Sequence, residues 1–466
     1  MASAAEIEQF DVVVLGSGEA GKYLSWAFGA EGKRVALIER RYVGGSCPNI
    51  ACLPSKNVVH SAKVAWYAQR LPEFGLNRPA PGIDMTVVRE RKRAMVAGLV
   101  EVHEKRFAAS HVDFVYGAGT FIAPRTISVE LADGKTRVLR GETVIVSTGS
   151  RAEIPDVPGL HAAKPLTHVE ELELDSLPEH LIVLGGGYSG LEFAQAMVRF
   201  GSKVTVVDRN ARLLPREDED VAAALHALLV KAGIRFVLGS TVSLVGGRSG
   251  EAVEISISGP GGVEVVKGSH ILVAAGRTPN TDGIGLEKAG VELTGAGHVL
   301  VNDALQTTAE GVFAVGDCAG SPHFTHIAYD DYRVVYENFK GGKRVTAGRQ
   351  VPYTLFTDPE LAHIGLREKD AKQLGIAYRL TKLPMAAVLR TRTLGETAGF
   401  LKALISEDDK ILGFTALGAS AGELLAPVQL AMSAGLPYAA LSDLIVTHPT
   451  MTEGLMYLFS AVPKRS

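Results

Sequence analysis

The sequence predicts an α/β protein with two doubly wound nucleotide-binding units followed by a C-terminal α+β unit. Two glycine-rich turns, at residues 16–21 and 185–190, each follow a short apolar run and precede a helical stretch. After about residue 345, Pro352, Pro359 and alternating apolar runs are typical of an antiparallel sheet with flanking helices. A chain of 466 residues is also too long for a single hydrophobic core, and its length suggests three domains.

Composition and charge narrow the classes of function. The net charge of −3 and the pI near 6.5 provide no basic face for nucleic acid or an anionic membrane. A charge, glycine or proline interrupts every apolar run before it reaches the length of a membrane span. Residues 1–11 have neither the basic nor the apolar region of a signal peptide. We therefore expect a cytoplasmic protein that binds neither membranes nor nucleic acid.

The first glycine-rich turn has every part of a dinucleotide-binding fingerprint. The apolar run 10–15 leads into Gly16-Ser17-Gly18-Glu19-Ala20-Gly21, and a second apolar run, 34–38, ends at Glu39. In this pattern Gly16 makes the turn, Gly18 lets the backbone approach a pyrophosphate and Gly21 lets the helix pack on the strand. The helix amino terminus stabilises the phosphate charge, and Glu39 is expected to accept hydrogen bonds from a ribose.

The same construction recurs in the second half of the chain. The apolar run 181–184 leads into Gly185-Gly186-Gly187-Tyr188-Ser189-Gly190, and the run 203–207 ends at Asp208. The acid follows the first glycine by the same interval in both copies. One such turn is a weak signal, but two complete copies in register predict two bound dinucleotides.

Three further segments have the form of an apolar strand that runs into a glycine-containing turn. Residues 143–155 and 270–280 are interpreted as the points where the chain crosses between the two nucleotide-binding units. Residues 311–320 end a strand near Asp317, and an acid at the carboxyl end of a strand in an α/β sheet faces the ligand crevice.

Cys47 and Cys52, in the stretch GGSCPNIACLPSK, are separated by four residues. Zinc sites usually have closer pairs of cysteines and a second pair, whereas Cys318 is the only other thiol and is expected to be a small buried hydrophobe. A redox-active disulfide accounts for the pair better. Pro54 and the helix-forming residues after it place Cys52 at a helix amino terminus, where the dipole favours a thiolate.

These motifs resemble the class I pyridine nucleotide–disulfide oxidoreductases, the family of dihydrolipoamide dehydrogenase, glutathione reductase and mercuric reductase. GGSCPNIACLPSK is similar to the family's GGTCxNxGCxPSK signature, and the two fingerprints, the FAVGD motif and a final HPTxxE also stand in the family's order. The resemblance implies the glutathione reductase type of fold. The expected domains are a discontinuous FAD-binding domain (1–151 and 277–345), an NAD(P)-binding domain (152–276) and an interface domain (346–466) that forms a homodimer.

The resemblance also implies the roles of four residues at the redox centre. Cys47 is expected to be the interchange thiol that meets the substrate, and Cys52 the thiolate beside the flavin. His448 and Glu453, in HPTMTE, are expected to come from the partner subunit, so that active sites are shared across the dimer. His448 would exchange protons with Cys47, while Glu453 would fix the tautomer of the imidazole.

Further residues match the family's cofactor sites. Lys56, one helical turn after Cys52, and Glu192 match an ion pair on the N5 side of the flavin. Tyr188 stands where many members have a tyrosine that gates the nicotinamide pocket, although a ring packed on the helix start is the alternative. The residues expected to bind cofactor are Gly16, Ser17, Gly18, Gly21, Glu39, Lys56, Thr148, Gly149, Asp317, Gly185, Gly187, Tyr188, Gly190, Asp208, Arg209 and Gly276.

The preferred nucleotide is expected to be NADH, with NADPH as the alternative. Gly190 and the acid at Asp208 favour NADH, because a carboxylate repels a 2′-phosphate. Arg209, Arg212 and Arg216 follow closely, and arginines at such positions can hold a 2′-phosphate.

The substrate is expected to be a small disulfide or an oxidised-thiol or hypohalous species. The chain looks closest to a mercuric-reductase-like branch that includes a reductase of hypothiocyanous acid. Dihydrolipoamide dehydrogenase is the alternative, although VTHPT replaces the HAHPT that is common there. A flavin diaphorase, oxidase or transhydrogenase with an idle cysteine pair is the alternative of another class. Arg390 and Arg392 could meet an anionic substrate, although solvated charges are the favoured interpretation. His60, one helical turn after Lys56, is expected to serve helix packing rather than catalysis.

Overall fold

The computed structural model describes residues 6–77 and 82–465. The amino-terminal segment 1–11, in which no signal peptide is expected, therefore lies partly outside the described residues. The chain forms two compact units. The first comprises Met1–Asn57, Thr86–Glu153 and Gly276–Arg349, and the second comprises Val58–Met85, Ile154–Ala275 and Gln350–Ser466. The boundaries of three separate domains stay a prediction.

Twenty strands are numbered in chain order among the described residues. They are β1 (Ile7–Leu15), β2 (Val35–Glu39), β3 (Val112–Ala123), β4 (Thr126–Leu131), β5 (Thr136–Val146), β6 (Ser150–Ala152), β7 (His180–Leu184), β8 (Lys203–Asp208), β9 (Arg235–Leu238), β10 (Thr241–Arg248), β11 (Ala252–Gly259), β12 (Gly262–Gly268), β13 (His270–Val273), β14 (Arg277–Pro279), β15 (Val312–Ala314), β16 (Tyr353–Leu355), β17 (Glu360–Gly365), β18 (Arg379–Pro384), β19 (Phe400–Ile405) and β20 (Ile411–Gly418).

The α-helices among the described residues are numbered in the same way. They are α1 (Glu19–Ala30), α2 (Ser46–Asn49), α3 (Cys52–Arg70), α4 (Met85–Ala108), α5 (His168–Glu171), α6 (Tyr188–Phe200), α7 (Glu219–Lys231), α8 (Thr325–Phe339), α9 (Glu368–Leu374), α10 (Leu389–Leu394), α11 (Leu425–Ser433), α12 (Ala439–Ser442) and α13 (Glu453–Ser460). None of the described helices is both long and apolar enough to cross a membrane.

The first unit is built on a parallel sheet in the order β3, β2, β1, β5, β15, and β4 pairs antiparallel with β3 and β5. Alternate residues of β1 belong to different hydrophobic clusters: Val13 lies in one, and Val12 and Val14 lie in the other. Both faces of the sheet are therefore covered, which explains why β2 is buried along its whole length. The predicted crossover segments meet as an antiparallel pair, β6 with β14.

The second unit repeats the parallel arrangement with four strands in the order β13, β7, β8, β9. The strands β10, β11 and β12 form a separate antiparallel sheet. The C-terminal part has five antiparallel strands in the order β16, β17, β20, β19, β18, as the alternating apolar runs predicted.

A buried ammonium group joins three segments of the second unit. Lys402, on β19, is fully buried, and its Nζ lies 2.8–2.9 Å from carboxylate oxygens of Asp218, Asp220 and Glu368. These three carboxylates are close enough together to hold a metal ion, but the ammonium already satisfies them. Burial opposes ionisation of both aspartates, but the hydrogen bond from Lys402 keeps the pKa of Asp218 below its ordinary value, and the hydrogen bonds from Lys382 and Lys402 do the same for Asp220.

We predict that Lys402→Met destabilises the protein strongly, because it leaves buried carboxylates without their cation. The free energy of unfolding at pH 7 should fall by about 3 kcal/mol or more, measured by urea denaturation of the holoprotein. Because the pKa values of the aspartates are depressed in the folded state, this contribution is lost as the pH falls below their ordinary value of 3.8, and the difference from wild type should narrow there.

The matched control for that variant is Lys382→Met. Lys382 also contacts Asp220, at 2.7 Å, but its side chain is 40% exposed. Its loss should lower the free energy of unfolding by less than about 1 kcal/mol. Equal effects of the two variants would contradict the importance assigned to burial of Lys402.

Candidate active site

The first glycine-rich turn has no room for side chains at two of its glycines. Gly16 has φ +105°, and a Cβ there would lie 2.3 Å from the carbonyl oxygen of Ser147. A Cβ on Gly21 would lie 2.2 Å from the carbonyl oxygen of Gly16. The roles predicted for these glycines, the turn and the close packing of helix on strand, are therefore present in the structure.

The second turn is built in the same way. Gly185 has φ +109°, and a Cβ there would lie 2.4 Å from the carbonyl oxygen of Ala274. A Cβ on Gly190 would lie 2.1 Å from the carbonyl oxygen of Gly185. Each turn opens a helix, α1 or α6, whose amino terminus can hold a phosphate. Both cradles thus fit the pyrophosphate of a dinucleotide.

The acid of each fingerprint is bonded to its own turn. Glu39 accepts hydrogen bonds from Ser17 N at 3.0 Å and Ser17 Oγ at 2.7 Å, and from the backbone amides of Arg41 and Tyr42 at 2.8 and 3.0 Å. A carboxylate has about four acceptor positions, so a ribose hydroxyl would have to replace one of these donors. The hydroxyl of Ser17 is the natural one to move, because it rotates freely.

The carboxylate of Asp208 accepts fewer of these hydrogen bonds than the carboxylate of Glu39 does. It accepts from Gly186 N at 2.6 Å and from the backbone and side-chain nitrogens of Asn210 at 2.7 and 2.8 Å. Three of its roughly four acceptor positions are used, which leaves one for a ribose hydroxyl. Arg209 and Arg216 are exposed nearby in sequence, and Arg212 donates to the carbonyl of Pro215 at 3.0 Å.

The crossover in the first unit contains or contacts four more residues predicted to bind cofactor, namely Thr148, Gly149, Asp317 and Gly276. Asn280 donates from its side chain to the carbonyl of Thr148 and from its backbone to that of Gly149, both at 2.9 Å. Asp317 accepts a short hydrogen bond from Ser150 Oγ and lies 3.6 Å from Arg277 Nε. Gly276, where this crossover starts, accepts from Glu153 N at 3.1 Å.

Asp331 supports this region and was not predicted from the sequence. Its side chain is fully buried and accepts from Gly316 N at 2.7 Å, Ser321 Oγ at 2.7 Å and Arg349 Nη1 at 2.6 Å. It therefore holds the turn that contains Asp317. The acid lies on α8 in a stretch with other polar residues, and nothing in the local spacing distinguishes it from a solvated carboxylate.

The two cysteines lie at a bend between two helices. Cys47 is in the short helix α2, and α3 begins at Cys52, as predicted. The two thiols hydrogen bond to each other, and Cys52 Sγ lies 3.2 Å from the hydroxyl of Thr325. Thr325 is itself the first residue of α8, so the amino termini of two helices meet at one sulfur. Such an arrangement favours negative charge on that sulfur.

The electrostatics of the pair place the charge on Cys52 and the proton on Cys47. The hydrogen bond from Cys47, with that from Thr325 and the positive charge of Lys56, outweighs burial and lowers the pKa of Cys52 to about 6. The hydrogen bond to Cys52 and burial raise the pKa of Cys47 above its ordinary value. Both directions favour the thiolate at Cys52, and the role of this thiolate beside a flavin stays a prediction.

His448 and Glu453 form the predicted dyad in the second unit. His448 Nδ1 lies 2.9 Å from Glu453 Oε1, and Thr450 N donates to the other carboxylate oxygen at 2.9 Å. The hydrogen bond from His448 lowers the pKa of Glu453. The side chain of Glu453 is 5% exposed and that of His448 is 62% exposed, so a buried carboxylate fixes a ring that faces outward.

Two more residues of the predicted cofactor sites, Glu192 and Tyr188, contact the segment 353–356. Glu192, buried on α6, accepts from Phe356 N at 2.9 Å, and its pairing with Lys56 stays a prediction. Tyr188 packs on Tyr353, with ring centroids 5.5 Å apart.

Cys318 is fully buried, as predicted, whereas His60 is exposed and does not serve helix packing. Arg390 and Arg392, which were expected to meet substrate or to be solvated, are both exposed. Arg390 donates to the hydroxyl of Thr393, and Arg392 donates to the carbonyl oxygen of Ala386.

Comparisons with known proteins agree with this arrangement. Residues 10–331 match the family model "Pyridine nucleotide-disulphide oxidoreductase", and residues 351–458 match its dimerisation domain. The chain is 34% identical to the probable pyridine nucleotide-disulfide oxidoreductase RclA of Escherichia coli strain K12 over 98% of this chain and 100% of that protein. It is 32% identical to the mitochondrial dihydrolipoyl dehydrogenase of Pisum sativum over 97% and 91% of the two chains.

Among solved structures, the chain is similar to a Cu(II) complex of the HOCl-induced flavoprotein disulfide reductase RclA from Escherichia coli. The TM-score is 0.89 at 33% identity, with 98% of this chain and 100% of that chain covered.

We predict that Thr325→Val raises the pKa of Cys52, because it removes a hydroxyl that bonds to the thiolate. The expected rise is roughly half to one pKa unit, so the thiolate is lost at higher pH than in wild type. The measurement is the pH dependence of alkylation of Cys52 in a Cys47→Ser background, in which a serine hydroxyl still donates to the thiolate.

Thr325→Ser is the matched control, since it keeps the hydroxyl and should leave the pKa of Cys52 unchanged from that of the Cys47→Ser parent. Cys318 is fully buried and does not compete for the reagent. Identical titrations of the valine and serine variants would show that the hydroxyl does not stabilise the thiolate.

Proposed function

Because the chain belongs to the class I pyridine nucleotide–disulfide oxidoreductases, which are NAD(P)H-dependent flavoprotein disulfide reductases, we propose that it reduces a small oxidised-sulfur substrate with NADH through the Cys47–Cys52 pair. The observation that carries this proposal is the setting of Cys52 Sγ, which lies at the amino terminus of α3 and 3.2 Å from the hydroxyl of Thr325 at the start of α8, where negative charge is stabilised. A thiol pair in which one member is held as the thiolate is suited to disulfide exchange, whereas an idle pair would not require such a setting.

The two fingerprint turns would hold the cofactors. FAD bound at Gly16–Gly21 would supply the two-electron carrier between the nicotinamide and the cysteine pair. Ser17 and Glu39 would hold its ribose. The turn at Gly185–Gly190, with its one open acceptor position on Asp208, would bind the nicotinamide dinucleotide. That carboxylate supports NADH over NADPH, because a 2′-phosphate would meet a negative charge.

Substrate reduction follows from the state of the two thiols. Cys47 gives its proton to a base, and its thiolate attacks a substrate sulfur R–S–X, which forms Cys47–S–S–R and releases X⁻. The leaving group is a thiolate for a disulfide and hydroxide for hypothiocyanous acid. The Cys52 thiolate then attacks the Cys47 sulfur, releases RS⁻ and forms the Cys47–Cys52 disulfide. The two thiols lose two electrons, and the substrate gains two.

His448 is the base that this scheme requires. The raised pKa of Cys47 means that this thiol does not ionise by itself near neutral pH. The His448 ring faces outward, and Glu453 holds its Nδ1, so Nε2 is the nitrogen available to accept the proton and return it to the leaving group. We propose that it serves the partner subunit of a homodimer, in keeping with the match to a dimerisation domain.

The likeness to the HOCl-induced RclA supports a hypohalous or oxidised-thiol substrate, while the likeness to dihydrolipoyl dehydrogenase supports lipoamide. We favour the former, because it accounts for the relative matched over its whole length. The deciding experiment compares kcat/KM with NADH and NADPH over hypothiocyanite, glutathione disulfide, coenzyme A disulfide, lipoamide and Hg²⁺. Dominant activity with lipoamide would overturn the substrate proposed here. Turnover that survives Cys47→Ser would show an idle cysteine pair.

We predict that His448→Ala slows substrate reduction by about 100-fold or more and leaves flavin reduction by NADH nearly unchanged. The reason is that the imidazole handles the proton of Cys47, which takes part only in the second half-reaction. Stopped-flow measurement of each half-reaction tests this division.

Glu453→Gln is the companion variant, because it keeps a side chain of the same size but weakens the hold on Nδ1. It should impair substrate reduction less than the loss of the imidazole does. Equal losses in both half-reactions for His448→Ala would contradict the assigned role.

A further inference from the structure

A row of tyrosines starts at the redox centre and follows helix α8. Thr325, whose hydroxyl lies 3.2 Å from Cys52 Sγ, opens this helix, and Tyr329, Tyr332 and Tyr336 follow it at intervals of three or four residues. Such intervals place side chains on one face of a helix, and long side chains lean back over the preceding turn. The row therefore begins at the turn that contacts Cys52.

The rings of the row touch one another. The ring centroids of Tyr329 and Tyr332 are 5.3 Å apart, and those of Tyr332 and Tyr336 are 5.6 Å apart and stacked at an angle of 24°. Tyr23, on α1, has its centroid 4.7 Å from that of Tyr329 and 5.6 Å from that of Tyr332. These separations are those of direct aromatic contact, so an electron can pass from each ring to the next. We call Tyr23, Tyr329, Tyr332 and Tyr336 the tyrosine row.

The outer end of the row has an acceptor for a proton. The Tyr336 hydroxyl donates to Glu31 Oε1 at 2.6 Å, and Lys340 Nζ lies 2.8 Å from the same oxygen. The hydrogen bonds from Lys340 and Tyr336 lower the pKa of Glu31, so this exposed carboxylate is ionised near neutral pH. Lys340 Nζ also lies 4.3 Å from the Tyr336 centroid, which opposes positive charge on the ring. A Tyr336 that loses an electron would therefore pass its proton to Glu31 and become a neutral radical.

A side branch from the row leads to Trp26 and offers a poorer exit. The Trp26 centroid lies 5.3 Å from that of Tyr23, but its Nε1 is buried and has no hydrogen-bond partner among the described residues. The guanidinium of Arg106 lies 3.8 Å from the Trp26 centroid and opposes positive charge there. Because the indole can neither keep the charge nor release its proton, the favoured direction is along α8 to Tyr336.

We propose that the tyrosine row carries single-electron oxidation from the redox centre to the surface at Tyr336. This role goes beyond the two-electron reduction proposed above but rests on the same redox centre. The oxidant would be a halogen or pseudohalogen radical anion, X₂•⁻, which takes one electron from the Cys52 thiolate and leaves a thiyl radical and two X⁻ ions. Electrons from Tyr329, Tyr332 and finally Tyr336 then restore the thiolate.

The electron and proton balance closes at the outer end of the row. The thiyl radical of Cys52 gains one electron, Tyr336 loses one electron and one proton, and Glu31 takes the proton. A soluble thiolate or an ascorbate-like reductant then gives one electron to the Tyr336 radical, and Glu31 returns the proton. The benefit lies at Cys52, because a thiyl radical that persists is open to further oxidation, and the higher oxidation states of a cysteine sulfur are irreversible.

The first test is flash photolysis of the FAD-loaded protein with its cysteine pair oxidised, so that no thiolate donates electrons. The light-excited flavin takes an electron from the nearest oxidisable ring, and transient absorption follows the tyrosyl radical. In wild type this radical should be long-lived, because it reaches Tyr336. The long-lived signal should be lost in Tyr332→Phe and in Tyr336→Phe, since phenylalanine keeps the ring but is not oxidised. Tyr438→Phe, in the second compact unit, is the control and should behave as wild type.

The second test measures protection of Cys52. Wild type and Tyr332→Phe, both with reduced cysteines, receive the same dose of the dithiocyanate radical anion from pulse radiolysis. Mass spectrometry then measures the fraction of Cys52 converted to sulfonic acid, which should be larger in the variant. Hypothiocyanite, a two-electron oxidant, should give equal fractions in both proteins.

Three results would overturn the inference. They are the absence of a long-lived tyrosyl radical from wild type, its survival in Tyr332→Phe, and equal oxidation of Cys52 by the radical anion in wild type and Tyr332→Phe. Failure of the proposed function would look different, since the radical signals would then be present in a protein that reduces no oxidised-sulfur substrate with NADH.

Discussion

The approach of a glycine to a neighbouring carbonyl oxygen, made once in each unit, is the contact on which the site depends. At Gly16 and at Gly185 a Cβ would lie 2.3 and 2.4 Å from the oxygen of the adjacent strand end. Only a residue without a side chain lets the turn settle there, and the helix that follows then starts against the sheet. The amino terminus of that helix, the acid of the second strand and the crossover segment all take their positions from this contact.

The redox centre also depends on helix amino termini, which stabilise a thiolate there rather than a phosphate. Cys52 opens α3 and Thr325 opens α8, so two helix ends and one hydroxyl surround a single sulfur. Cys47 lies one bend away in α2, a helix of only four residues with a correspondingly small dipole, and burial raises the pKa of its thiol. The chemical inequality of two identical residues thus arises from where helices begin, and it makes a base such as His448 necessary for one thiol and not for the other.

Buried charge also connects the nucleotide-binding part of the second unit to its C-terminal part. Glu217 contacts Tyr353 and Arg367, while the next residue, Asp218, accepts from the backbone amides of Glu368 and Lys369 at 3.1 Å. The fully buried Lys402 completes this junction. A short stretch before α7 is therefore bonded to the start of α9 and to the C-terminal sheet, which is why these parts form one compact unit.

The sequence by itself determined the features that depend on local spacing. The two turns, the cysteine pair and the helix start at Cys52 follow from residues a few positions apart, because turns and helix ends impose fixed intervals, and the acids follow from the repeated interval after each turn. The His448–Glu453 dyad followed from the resemblance to the family. Tertiary structure alone decided that Thr325 meets Cys52, that Asp331 holds the turn of Asp317 and that Glu217 holds Tyr188. Those contacts join side chains from separate segments, and a hydrogen bond between distant segments needs only that the folded chain bring them together. No periodicity in the sequence marks such partners beforehand.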